Sequence, residues 1–547
     1  MGDETYTAHV DGFAREHLPP AEQWPRLQFL LPELQYPARM NCASLLIDAA
    51  VAEGHGNRIA VYSDAGATTF AELQEMSNRI ANVLVQEFGV VPGNRVLLRG
   101  PNCTMLCAAW LAVIKAGAIA VATMPMLRAK ELGQIAAKAE IDHALCDARL
   151  LPDLAAAIEQ TGRMRKVLTF GGGTLEPAMR RQAPTFDNVD TSAEDVCVFA
   201  FTSGTTGNPK ATMHFHRDVL AMCDTVGRHL LETDETDIYA GSPPVGFTFG
   251  LGALLAFPLR FRAATVMIEQ PTAQALLSAV ERRRVTCLFT APTMYKNLAG
   301  LVGSCDLSSL KRAVSAGEPL PKATSDAWHA ATGIRLIDGL GSTEMMHIFI
   351  SAKGRDIRPG ATGKPLPGYE AVILDEEGRP LPAGRSGRLA VRGPTGCRYL
   401  ADSRQTEYVR DGWNITGDRY RLDQDGYFWF EGRADDMIVS SGYNIAGPEV
   451  ESALLEHPAV KEAAVIGAPD QERGQIVKAF IVLQPSFEGH AALVRELQEH
   501  VKRSVAPYKY PRAIEFVAAL PKGPSGKVQR YLLRQREPAA APDEEAP

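Results

Sequence analysis

At 547 residues the chain is long enough for about three to four domain-sized units, and its 46% apolar and 22% charged residues match a water-soluble globular enzyme. A net charge of −7 argues against a nucleic-acid partner. Nine scattered cysteines with no C-x-x-C pair argue against a disulfide framework or a zinc site and fit a reducing, cytoplasmic setting.

The first residues are acidic and do not read as a signal peptide. Residues 1–40, with several prolines, are expected to wrap the surface or to contribute to a homodimer contact. From Thr69 a helix is predicted to about Phe88, with Leu73, Met76, Ile80, Val83 and Leu84 on one face and Gly89 as its stop. Strands at 95–99, 118–123 and 142–146 alternate with helices at 103–115 and 129–139, the pattern of a parallel sheet covered by helices. Residues 105–126 form the most apolar region, but Lys115 interrupts it and Gly117 follows. It therefore reads as a core helix running into a buried strand, not as a membrane span.

The run 196–201 is apolar throughout and fits a strand buried on both faces. It leads into Thr202, Ser203, Gly204, Thr205, Thr206 and Gly207, then Lys210, and a helical pattern picks up near Asp218. Strand, glycine-hydroxyl loop, lysine and helix together read as a phosphate cradle. Glycines let the backbone approach an anion and present N–H donors, hydroxyls add further donors, and the lysine adds charge. The nucleotide-kinase spacing G-x-x-x-x-G-K-[ST] is not met, and Ala211 stands where Ser or Thr would hold magnesium.

Strand and helix signals return at 265–268, 272–284 and 285–289. Between 241 and 250, Phe247 and Phe249 sit among glycines and read equally well as pocket lining or as core. Two more short strands end in glycine and polar residues. One runs into Ala316, Gly317, Glu318 and Pro319; the other ends at Asp338 and is followed by Gly339, Leu340, Gly341, Ser342, Thr343 and Glu344. Open α/β sheets place ligands at the carboxyl ends of their strands, so the ends at Thr202, Ala316 and Asp338 together point to a ligand site. Alone, the Gly-Glu-Pro segment would read as a plain turn. Strand-like hairpins over 411–418 and 426–436 end in the charged cluster Arg433, Asp435 and Asp436. Beyond them a smaller unit is predicted: a helix at 449–456, strands at 463–466 and 478–483, a helix at 490–502, and a glycine-rich loop presenting Lys527. The tail 537–547 has the composition of a disordered segment.

The loop 203–210, S-G-T-T-G-x-P-K, resembles the signature of the adenylate-forming superfamily of acyl-CoA ligases, peptide-synthetase adenylation domains and luciferases. The likeness continues in the family's order through Asp338 to Glu344, Thr416-Gly-Asp418, Gly432-Arg433-Ala-Asp435-Asp436 and Pro524-Ser-Gly-Lys527. It implies an α/β fold: a large N-terminal domain of doubly wound αβ sheets plus a β-subdomain over 1–432, a hinge at 433–436, and a small mobile α+β C-terminal domain over 437–536.

It also implies the chemistry. ATP, Mg²⁺ and CoA are the expected cofactors and co-substrates, with a carboxylic acid as the other partner. The acid attacks the α-phosphate, and a thiol then displaces AMP. By this resemblance 203–210 holds pyrophosphate, Glu344 holds Mg²⁺, Thr343 donates to the α-phosphate, and Asp418 accepts from the ribose. Arg433 lies near phosphate and ribose, and Lys527 bridges the acid and the α-phosphate; on sequence alone Lys527 would read as a solvated loop lysine. Rotation at Asp435 replaces Lys527 by the region around Ser440 and Gly442, which passes the thiol arm. Leu340 stands where the common pattern has tyrosine. The variant through His347 and Ile348 resembles the benzoate and 2-aminobenzoate CoA ligases, and the opening residues 6–20 resemble the 2-aminobenzoate branch. That suggests an aromatic acid held by Phe247, Phe249, Gly317, Gly339, His347 and Ile348, although the spacing of His347 alone fits a core histidine. A benzoate ligase and an adenylation enzyme that loads a carrier protein are the alternatives.

Overall fold

Strands buried on both faces divide their side chains between two cores, and this division builds the protein. The computed structural model describes residues 6–202, 209–433, 436, 438–440, 443–470, 473–505, 509–523 and 526–537. The strand Val196–Thr202 sends Val196 and Phe199 into one hydrophobic cluster and Cys197, Val198 and Ala200 into another. Leu97 parts from Val96 and Leu98 in the same way, and Leu288 from Cys287 and Phe289. With both faces covered there is no polar alternation, so these runs read as continuously apolar.

Two sheets share the larger core. The first has the order Lys166–Phe170, His143–Asp147, Arg95–Arg99, Ile119–Thr123, Val196–Thr202, Lys210–Phe215; it is parallel except for its last pair. The second has nine strands. Its parallel centre runs Leu336–Gly341, Arg312–Ala316, Cys287–Thr290, Ile238–Gly241, Ala264–Val266 and Ile59–Ser63, with antiparallel strands at both edges. Helices Phe70–Asn82 and Thr104–Lys115 pack between them. The first is opened by a capping box, with the Glu72 amide donating to Thr69 Oγ1 at 3.2 Å and the Thr69 amide to Glu72 Oε2 at 2.7 Å. Its last turn ends before Gly89, whose φ of 67° is the left-handed stop expected there. Lys115, the charge that argued against a membrane span, is fully buried; it pairs with Asp48 and donates to Asn78 Oδ1 at 2.7 Å. Among the described residues no helix is long and apolar enough to cross a membrane.

An antiparallel β-subdomain of five strands follows, including Ser386–Arg392, Trp413–Leu422 and Phe428–Arg433. The C-terminal unit is a second five-stranded sheet centred on Val460–Asp470 and Gly474–Leu483. Helices Gly447–Leu455 and Ala491–Ser504 cover one face, and Leu533 packs with Ile466 and Phe480 on the other. Residues 6–40 run across the large domain: the Tyr6 hydroxyl donates to the Asp190 carbonyl at 2.7 Å, and the Arg26 amide to the Gly412 carbonyl at 2.8 Å.

Three expectations change. Lys210 opens a strand that was not predicted, Lys210–Phe215, antiparallel to Val196–Thr202 with Thr202 opposite Lys210, and the helix expected near Asp218 starts at His216. The strand predicted to end at Asp338 continues to Gly341, because Leu340 and Gly341 pair with the edge strand Ile348–Ser351. The three strand ends do not share one sheet: Thr202 belongs to the first, Ala316 and Asp338 to the second. The tail from 538 and the hinge residue Asp435 lie outside the described residues.

The hairpin is fixed to its surroundings by Arg398, which pairs with Asp218; both are fully buried. Burial opposes charge on both. On Asp218, Arg398 and His214 outweigh burial and hold the carboxyl below its usual range; on Arg398 burial prevails in direction, yet a guanidinium stays charged. The pair's contribution is therefore complete above the unfolded carboxylate pKa of about 3.9 and fades as pH falls through the lower folded value. Asp218→Asn leaves a buried cation unpaired, so the large domain is expected to lose about 3–5 kcal/mol at neutral pH. Urea unfolding should show that deficit at pH 7 and a smaller one as the wild type is acidified.

Candidate functional site

The ends of Arg312–Ala316 and Leu336–Gly341 are register neighbours, Ser315 opposite Asp338 and Ala316 opposite Gly339, so Gly317–Pro319 and Asp338–Glu344 leave the sheet side by side. The first sheet reaches the same place. His214, on the strand after the phosphate loop, shares a 2.8 Å hydrogen bond between its Nε2 and the Thr343 carbonyl, and Tyr408 lies with its hydroxyl 3.4 Å from Ser342 Oγ.

Glu344 is buried, and the fully buried Tyr399 donates its hydroxyl to Glu344 Oε1 at 2.6 Å. Lys210 Nζ lies 3.2 Å from the same hydroxyl and 5.1 Å from the ring centre. Burial, then the Glu344 charge, pushes the Tyr399 phenol well up, so it is a neutral donor. The chain thus holds a carboxylate in a low-dielectric pocket with a phenol on one oxygen, a hard donor suited to a divalent cation that keeps phosphate ligands. Asp338, half-buried yet desolvated and with only the Gly339 amide to favour its charged form, is lifted to about 7.

From the β-subdomain, Asp418 and Arg433 stand opposite each other on neighbouring strands and pair at 3.0 Å. Burial raises the Asp418 pKa, and Arg433 opposes the rise. From the C-terminal unit, a tight turn presents Lys527: the Gly523 amide donates to the Lys527 carbonyl at 2.8 Å, and Lys522 bridges to Val528. Lys527 keeps solvent-exposed surface while the surrounding protein crowds its ammonium. That burial pulls its pKa down; Glu318 opposes most, Arg433 adds to the fall, and Asp418 and Glu344 oppose it. Lys296 Nζ donates to the Lys461 carbonyl at 2.6 Å, a contact between the large domain and this unit.

The predicted aromatic lining comes together in part. The ring of His347 is buried, 5.5 Å from Phe249 and 4.7 Å from Phe257, with Nε2 at 3.2 Å from the Phe249 carbonyl. Burial lowers its pKa to about 4, so it is neutral at pH 7. With Nε2–H donating to that carbonyl, Nδ1 is the acceptor, and it has no partner among the described residues. Phe247 is half-buried at the start of the same segment. Gly339 does not leave open space: Ile348 fills the position of its missing Cβ. Gly317 does, having φ 91° and no heavy atom within 4 Å of that position.

Ser203, Gly204, Thr205, Thr206 and Gly207 lie outside the described residues, as do Asp435 and Gly442; Thr202 and Lys210 flank that segment in register, and Ser440 is buried. Sequence reasoning missed His214, Tyr399, Tyr408 and Gly252. A Cβ on Gly252 would come within 2.8 Å of His347 Nε2, so that glycine seats the imidazole. His214 carried a weak signal, four residues and hence two strand repeats beyond Lys210; Tyr399 carried none, since it reaches Glu344 only through the tertiary fold.

The family model for AMP-binding enzymes matches residues 48–399, and that for the AMP-binding enzyme C-terminal domain matches 449–527. Benzoate–CoA ligase of Thauera aromatica is 35% identical over 515 residues, 92% of this chain and 97% of that protein. Mouse mitochondrial acyl-coenzyme A synthetase ACSM3 is 35% identical over 487 residues, 86% of this chain and 84% of its own. The crystal structure of the anthranilate CoA ligase AuaEII in complex with anthranoyl-AMP superimposes with a TM-score of 0.87 at 34% identity, covering 92% of this chain and 99% of that one. The chain belongs to the AMP-binding, adenylate-forming acyl-CoA ligase superfamily and is an ATP-dependent acyl- or aryl-CoA ligase.

Proposed function

We propose that the acid is aromatic, with 2-aminobenzoate as the substrate. His347 carries the reading. It is a neutral, buried imidazole set against Phe249 and Phe257, with an acceptor nitrogen that lacks a partner. An ortho-amino group can donate to it, and a flat ring fits the open side of Gly317. The 34% identity to the anthranilate ligase supports this reading, and the 35% identity to the benzoate ligase supports benzoate as the second.

In the proposed reaction the acid's carboxylate oxygen attacks the α-phosphorus of ATP and pyrophosphate leaves. The CoA thiol then attacks the acyl carbon, AMP leaves, and a thioester remains. Lys527 lies between the anions of the first step and lowers their repulsion. Lys210 and the 203–207 donors hold pyrophosphate, Thr343 donates to the α-phosphate, Asp418 takes the ribose hydroxyls, and Asp338 faces the base. Glu344 would hold Mg²⁺, which supplies charge neutralisation when bound. Residues 433–436 act as the hinge that withdraws Lys527 before thiol attack.

A screen of pyrophosphate release and CoA consumption over benzoate, 2-aminobenzoate, hydroxybenzoates, cinnamates and fatty acids should single out 2-aminobenzoate; preference for a fatty acid would reject the aromatic reading. His347→Phe should cut kcat/KM about tenfold more for 2-aminobenzoate than for benzoate, the value of one hydrogen bond of about 1.4 kcal/mol.

Lys527→Ala should abolish adenylation yet spare thioester formation from supplied acyl-adenylate. Since the Lys527 pKa is lowered, its positive charge is lost as pH rises through a value below the ordinary lysine range. Adenylation should therefore fall on that alkaline limb, and the thioester step should not. Tyr399→Phe removes the donor from Glu344 and should lower adenylation about 30-fold, equivalent to about 2 kcal/mol. Its dependence on Mg²⁺ concentration should shift, while the circular dichroism spectrum stays that of the wild type.

A further inference from the structure

Cysteine spacing argued against a metal site, but folding brings together residues that the spacing keeps apart. Cys42 begins the first long helical segment, Cys197 is the second residue of Val196–Thr202, and His216 opens the helix after Lys210–Phe215; all three are fully buried. Their ligand atoms lie within 4.8 Å of one another, and His216 Nδ1 is 3.3 Å from Cys42 Sγ. Metal bonds of about 2.3 Å to sulfur and about 2.0–2.1 Å to nitrogen, at tetrahedral angles, require edges of about 3.8 Å for S···S and about 3.5 Å for S···N. The observed S···N edge is within a few tenths of an ångström of that.

The imidazole is poorly satisfied for so buried a group. Nε2 has no partner among the described residues, and Nδ1 serves both the Cys42 amide, at 3.2 Å, and the Cys42 thiol. Burial resists ionisation of Cys42, but hydrogen bonding from Cys197 and the nearby His216 outweigh it and draw the thiol down, while Cys197 is pushed up. A cavity of about 770 Å³ beneath residues 6–38 runs alongside. Its wall includes Val196 and Phe215, the chain neighbours of Cys197 and His216, and His9, whose Nε2 is also without a partner among the described residues.

We propose that Cys42, Cys197 and His216 form a binding site for a soft d¹⁰ cation of the Zn²⁺ or Cu⁺ type, structural rather than catalytic. Thiolate and imidazole select such ions over Mg²⁺. The site is about 16 Å from the phosphate loop, the length of strand from Cys197 to Thr202. Binding as thiolates releases the thiol protons to solvent and involves no redox change.

Protein expressed and refolded with Zn²⁺ should keep one equivalent per chain through gel filtration. The Co²⁺-substituted protein should show thiolate charge-transfer absorption. Cys42→Ser and Cys197→Ser should each weaken retention more than tenfold, and Cys103→Ser should not. If a variant fails to fold, alkylation mapping on the wild type decides: bound Zn²⁺ should slow labelling of Cys42 and Cys197 relative to Cys107 and Cys287. Absence of retained metal, retention by both serine variants at the wild-type level, or equal labelling of all four cysteines would overturn the assignment.

Discussion

A carboxylate taken out of water must be held by something, and this requirement organises the site. Glu344 is buried with a phenol on one oxygen instead of a permanent salt bridge, and Asp338 and Asp418 are likewise desolvated. Of the three, Asp418 has a cationic partner among the described residues, Arg433 at 3.0 Å; one placed on Glu344 would quench it and leave nothing for the counter-ion of a polyanionic substrate to engage. The lysine that enters from the C-terminal unit is instead desolvated and brought close to Glu318, Asp418 and Glu344 without being locked to any one of them.

Holding such groups in place is the task of the two-sheet architecture. Neither sheet alone carries the site. The second sheet contributes the loops after Ala316 and Gly341, the first contributes the hairpin with His214 and Lys210, and Tyr399 comes from the segment before the last strands of the β-subdomain. The His214–Thr343 and Tyr399–Glu344 hydrogen bonds join these parts across the shared core. The Arg398–Asp218 pair, one residue from Tyr399, anchors that segment to the helix behind the hairpin. Binding chemistry and core packing therefore depend on the same few side chains.

Much of this was legible in the sequence. The helix from Thr69, the buried helix ending at Lys115 and the strand of 196–202 declared themselves through periodicity, capping residues and apolar runs. The hairpin strand Lys210–Phe215 did not. Five of its six residues are buried, so the alternation that marks a half-exposed strand is missing, and only the helix that follows it showed a periodic pattern. For the same reason the sequence could not separate two sheets, since a parallel strand buried on both faces carries no mark of its neighbours. Glycines were misread in one case: small size at Gly339 admits Ile348, not a ligand, and only the positive φ of Gly317 accompanies real space. Tyr399 and the Cys42–Cys197–His216 group were invisible because their meaning lies wholly in contacts between distant segments.

The placement of Arg433 has a mechanical corollary. It is the last residue of its strand and also the partner of Asp418 across the ladder. Any pull on the polypeptide beyond that point acts directly on the side chain gripping Asp418, with no lever in between. Strand end and carboxylate behave as a single latch, so a load applied at one is registered at the other.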